Sequence, residues 1–145
     1  MMKIRNIAQS LAVSILATLM LHFSAPTGFA QQVAPDQIVV DAKNWSDVYK
    51  AYQHFGKKAD GVVAGAFTDK VSTLLAERWD LLDELRVLGA KDKRFMKFVM
   101  SNINEAVPAN LGKTIRENAT NQCSPKEHKQ LCQKIIQSLE RASKR

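Results

Sequence analysis

From Asn44 onward the apolar residues of this chain recur every three or four positions, and that period constrains the fold more than any other feature. Trp45, Val48, Tyr49, Tyr52 and Phe55 form one stripe. Val63, Phe67, Val71, Leu74 and Leu75 form a second, and Leu81, Leu82, Leu85 and Leu88 a third. Phe95, Met96, Val99 and Ile103 continue the pattern, then Leu111, Ile115 and Ala119, then Leu131, Cys132, Ile135 and Leu139. Spacing of this kind places one apolar face along each helix. No stretch alternates with period two over five residues, so nothing predicts a half-buried strand.

Punctuation agrees with the period. Asn44 or Ser46 can cap a helix from Trp45 to Phe55, and Gly56 can end it. A second helix is predicted from Val62 to Trp79. Its start carries the small residues Gly61, Ala64, Gly65 and Ala66, a pattern that predicts a tight helix crossing. Asp80 can cap a short third helix stopped by Gly89. Asp92 can cap a fourth, with Pro108 marking its end. The strongest start signal is Ser124-Pro125-Lys126-Glu127, with a capping serine, proline at the first helical position and glutamate three residues after the cap. The predicted fold is all-α, a compact bundle of about five to six helices with one disulfide near the C-terminus.

The N-terminus reads differently. Lys3 and Arg5 precede an eleven-residue apolar run, Leu11 to Leu21, and Gly28-Phe29-Ala30 places small residues at the −3 and −1 positions. That is the layout of a removable secretory signal peptide over residues 1–30. Spanning a bilayer takes roughly 20 apolar residues, about twice this run, so no transmembrane segment is expected in the mature chain. Residues 31–43, with Pro35, are expected to be an extended arm, and residues 44–145 a single helical domain. The expected location is periplasmic or secreted.

Export sets the expectation for the two cysteines. Cys123 and Cys132 are the only ones in the chain, and in an oxidising compartment a disulfide is the default. Their C-x8-C spacing is neither a redox nor a haem motif. His54 and His128 lie far apart in sequence, so no metal site is expected. No cofactor, no catalytic residue and no nucleic-acid role is indicated, and the chain is not expected to be an enzyme. Sequons at Asn44 and Asn118 matter only in a eukaryotic host.

Charge is polarised along the chain. Residues 31–90 carry seven basic and nine acidic side chains, residues 91–145 twelve and five. The second half thus favours an acidic partner or an anionic surface. Two groups are candidates for partner contact. One is the loop Lys57, Lys58, Asp60 and Gly61, bounded by glycine. The other is the acidic cluster Asp80, Asp83 and Glu84, three carboxylates on one helix face with Arg78 and Arg86 close enough to pair with them. A homodimer interface would supplement a core of this size.

Trp45-Ser46-Asp47-Val48-Tyr49, and Asp60-Gly61 followed by Phe67-Thr68-Asp69, look like family-type positions. In outline the chain resembles the small exported helical proteins of Gram-negative bacteria, among them the periplasmic immunity proteins that neutralise type VI secretion toxins. What the resemblance implies is inhibition by binding, with loops or helix ends covering a toxin's active site. No functional residue is carried over. The alternatives are a chaperone-like helical protein that self-associates and a small-ligand carrier.

Overall fold

The computed structural model describes residues 33–144, and the signal-peptide reading falls outside them. Among the described residues there are seven α-helices and no strand. The all-α expectation holds, with one helix more than predicted. The extra helix is α1 (Pro35–Val40), in the segment expected to be extended. Pro35 occupies its first turn, where a missing N–H costs nothing, and Val39 is completely buried. Burial of Val39 against the long third helix is what overrides the weak local pattern, so the domain starts before residue 44.

Helix α2 (Trp45–Ala51) starts at Asn44, whose side chain accepts from the Asp47 amide at 2.9 Å. A π-helical turn, Tyr52–Gly56, continues it. Helix α3 (Gly61–Glu77) is the central element, with Phe67, Val71, Leu74 and Leu75 buried. It packs against α1, α2 and α6. A 3-10 turn, Trp79–Leu81, leads into α4 (Leu82–Lys91). Gly89 lies within α4 and does not stop it. A Cβ at Gly89 would collide with the Met96 side chain, so glycine here permits close approach to α5 (Lys93–Ser101). Asp92 caps α5 as predicted, accepting from the Arg94 amide at 2.9 Å and the Phe95 amide at 3.1 Å. Helix α5 ends at Ser101, six residues short of the residue before Pro108.

Helices α6 (Ala109–Asn121) and α7 (Lys129–Ala142) complete the bundle. Asn118 of α6 donates to the Leu75 and Ala76 carbonyls, at 3.2 and 2.9 Å, near the C-terminal end of α3. These are carbonyls that a helix end leaves short of partners. Asn118 is buried by this role, as Asn44 is engaged by capping, so both sequon asparagines are structural. The shared core is built on Trp45, Phe67, Leu85, Phe95, Ile115 and Ile135, all 1% exposed or less. Tyr49, Tyr52 and Phe98 pack around Phe95 and Phe67 with ring centroids 4.8–5.3 Å apart.

Cys123 and Cys132 form a disulfide. It changes the start of the last helix. From a cap at Ser124 the eight steps to Cys132 rise about 12 Å, and Cys123, one step of about 3.8 Å before the cap, could come no nearer than about 8 Å, whereas the bridged Cα atoms are 6.3 Å apart. A helix starting at Pro125 could not meet that distance. Residues 125–128 therefore form a turn closed by the His128 amide donating to the Ser124 carbonyl at 3.0 Å. Helix α7 begins only at Lys129, and no side chain caps it.

Candidate partner-binding surfaces

The acidic cluster is occupied by the fold. Glu84 accepts from the backbone amides of Trp45 at 3.2 Å and Ser46 at 3.0 Å, and from the Ser46 hydroxyl. It thereby satisfies the orphan donors at the start of α2 and clasps α2 to α4. Asp80 takes a two-pronged bond from Arg78, 3.0 Å on each oxygen. Asp83 accepts from Arg86 at 2.8 Å, and His128 Nε2 approaches it at 3.5 Å. The arginine hydrogen bonds hold both Asp80 and Asp83 below the usual carboxylate range. Asp92 is held below it first by the Phe95 amide and then by the Arg94 amide. The three predicted acids thus do not form one open site.

The loop candidates are open but flat. Lys57, Lys58, Asp60 and Gly61 are all exposed. None lines a described cavity, and none makes an ion pair among the described residues. Gly61 has φ +45°, a conformation that favours glycine. A Cβ at Gly61 or Gly65 would have nothing within 4 Å. The predicted tight crossing at the start of α3 is therefore not made at either glycine. Helix α3 buries its large side chains further along and leaves Gly61 and Gly65 in solvent, while Ala64 is half-buried and Ala66 buried.

The described concave surface with the most concentrated charge contains none of the candidate loop or acidic-cluster residues. It is a cleft of about 450 Å³ between the α4–α5 junction and the segment Pro125–Lys134. Its charged lining is Arg86, Lys93, Lys126, Lys129 and Lys134 against the single carboxylate Glu127. Arg86 is held by Asp83. The four lysines have no acidic partner within 4 Å among the described residues. The first turn of the uncapped α7 also lines the cleft, adding the partial positive charge of a helix N-terminus. Buried Gly89 and Leu131 and half-buried Met96 supply apolar floor. The sequence signal was the excess of twelve basic over five acidic residues after Ala90. What the pattern lacked was the fold, which sets Lys93 beside the Cys-closed turn.

A second surface has the opposite character. Val33, Ile38, Ala42, Ala51 and Phe55 line an apolar groove of about 590 Å³, with Asp41, Asp47, Lys50 and His54 among its other residues. Val33 and Ile38 are 54% and 40% exposed, so α1 leaves large apolar side chains in solvent.

No helix among the described residues is long and apolar enough to cross a membrane. No protein-family model, curated protein or solved structure matches the chain.

Proposed function

We propose that this chain is an exported protein that works by binding another protein, and that it belongs functionally with immunity proteins that occlude a secreted toxin. One observation carries the reading: the lysine-lined cleft, a concave surface whose positive charge has no internal use. A surface of this kind attracts an acidic partner from a distance and speeds encounter. Fast capture suits a protein that must reach a toxin before its substrate does. The leader at residues 1–30 supports export, and the disulfide is compatible with it.

The test has two parts. N-terminal sequencing of the protein from a periplasmic fraction should return Gln31 as the first residue, and an intact Met1 would refute export by cleavage. Wild type and Lys126→Glu/Lys129→Glu should then be used as bait in periplasmic extract. A stoichiometric partner retained by wild type, lost on the variant and eluted by salt supports the reading. Recovery of no such partner under any growth condition, or equal retention by both baits, overturns it.

One observation favours a second reading, a chaperone-like protein that self-associates: the exposed Val33 and Ile38 on the apolar groove beside α1. Contiguous apolar exposure is a mark of association surfaces. Sedimentation of Ile38→Asp beside wild type separates the two readings, because only a self-associating protein would shift to a smaller species.

A further inference from the structure

We infer that the lysine-lined cleft seats an acidic peptide segment, and that the Cys123–Cys132 bridge makes the cleft competent to do so. The inference rests on the protein-partner reading above and specifies what part of the partner enters.

The distribution of cations sets the ligand class. Lys126 and Lys129 stand on one wall, with Lys93 and Arg86 on the other. Lys134 lies five residues beyond Lys129, about 7–8 Å further along the axis of α7. Five cations spread over such a length do not converge on one small anion. They match a row of carboxylates, each taking an ammonium or a first-turn amide of α7. The floor of Gly89, Met96 and Leu131 accepts the apolar parts of such a segment. A volume of about 450 Å³ falls within the range of ligand sites.

The bridge enters through one wall. Half of the lining, including Lys126, Lys129 and Leu131, lies between the two cysteines. Besides the bridge, the main side-chain hold within that wall is the half-buried His128, whose Nε2 lies 3.5 Å from Asp83. Residues 125–127 are exposed, and the turn is closed by the single backbone bond from His128 to Ser124. Leu131 and Cys132 anchor its far end in the core. The bridge to Cys123 anchors the near end. Forming it removes two electrons and two protons from the two thiols, and a disulfide oxidant of the exported compartment takes them up and becomes a dithiol. Before that step the near end is held only by the packing of half-buried Cys123 and His128, and ordering it further would cost binding free energy.

Fluorescence anisotropy with a labelled peptide of sequence EELEEL, against the KKLKKL peptide, tests the inference on the folded chain from residue 31. The oxidised protein should bind the acidic peptide and not the basic one. Lys126→Glu/Lys129→Glu and, separately, Lys93→Glu should weaken binding about tenfold or more. Reduced protein, and Cys123→Ser/Cys132→Ser, should also bind at least several-fold more weakly while far-UV circular dichroism still reports helix. Conditions in which the reduced chain loses its helical signal are replaced by lower temperature, where the comparison is repeated. Binding unchanged by the charge reversals overturns the site. Full binding by helical, reduced protein overturns the role of the bridge. Displacement of the peptide by an equal concentration of inorganic phosphate overturns the peptide assignment in favour of a simple anion site. Peptide binding without any recovered protein partner sinks only the proposed function. A partner retained by all the cleft variants sinks both, whereas a partner lost on those variants with no binding of the acidic peptide sinks only this inference.

Discussion

Two charged clusters lie in this molecule, and the fold treats them in opposite ways. The carboxylates of the α4 region are engaged internally: Glu84 by the amides at the start of α2, Asp80 and Asp83 by arginines. The lysines of the cleft are left without acidic partners among the described residues. In the sequence the carboxylates are bunched on one helical segment, whereas the lysines are spread from residue 93 to residue 134. What separates them is whether another element of the bundle supplies a complementary group. The lesson is that charge density marks a candidate, and the state of its hydrogen bonds decides between scaffold and site.

The contrast can be broken by substitutions, beginning with the largest effect. Removing the bridge with Cys123→Ser/Cys132→Ser should lower stability by about 2–3 kcal/mol in the loop-entropy account. Urea unfolding with an unchanged slope would measure it. Glu84→Ala strips two backbone amides and a hydroxyl of their acceptor, and should cost about 2–3 kcal/mol by the same assay. If Glu84 were a partner contact, the variant would instead keep its stability and lose binding. Lys129→Glu should do the reverse, changing stability by no more than about 0.5 kcal/mol while weakening capture of an acidic partner and flattening its salt dependence. Asp80→Asn removes an exposed pair and should lower the urea midpoint only slightly.

Acid titration sharpens the same contrast. Asp80, Asp83 and Asp92 are held below their ordinary range in the folded chain. A depressed carboxylate stabilises the fold above its unfolded pKa, roughly 4, and that contribution is lost as pH falls through the folded value. The urea midpoint should thus be flat near neutral pH and fall below about pH 4. Asp92→Asn should flatten part of the acid limb, and an unchanged limb in that variant would refute its share.

How much was legible follows the same physics. Helix stripes were readable wherever large apolar residues recurred with the helical period, since each stripe needs only its own segment to be recognised. The caps at Asn44 and Asp92 were readable too, because capping is local. Three things were not. Helix α1 is too short to show a period, and packing against α3 and α2, with Val39 buried, holds it. Gly89 has the look of a helix stop, yet the approach of Met96 turns it into a packing position. The cleft joins Lys93 to Lys126 and Lys129, more than thirty residues apart, and no local pattern states that juxtaposition. The start of α7 is a different case. The predicted bridge and the predicted helix start at Pro125 were incompatible on distance alone, so the delayed start was derivable from the two expectations taken together.

That incompatibility outlives the folded, oxidised state. Ser124-Pro125-Lys126-Glu127 remains a complete helix-start signal that a covalent bond overrules. Opening the bond returns the decision to those residues, and α7 is then free to grow by a turn toward Pro125. The position of one helix boundary becomes a readout of the oxidation state of two sulfurs. Backbone chemical shifts of Lys126 to His128, followed through reduction, would report it directly.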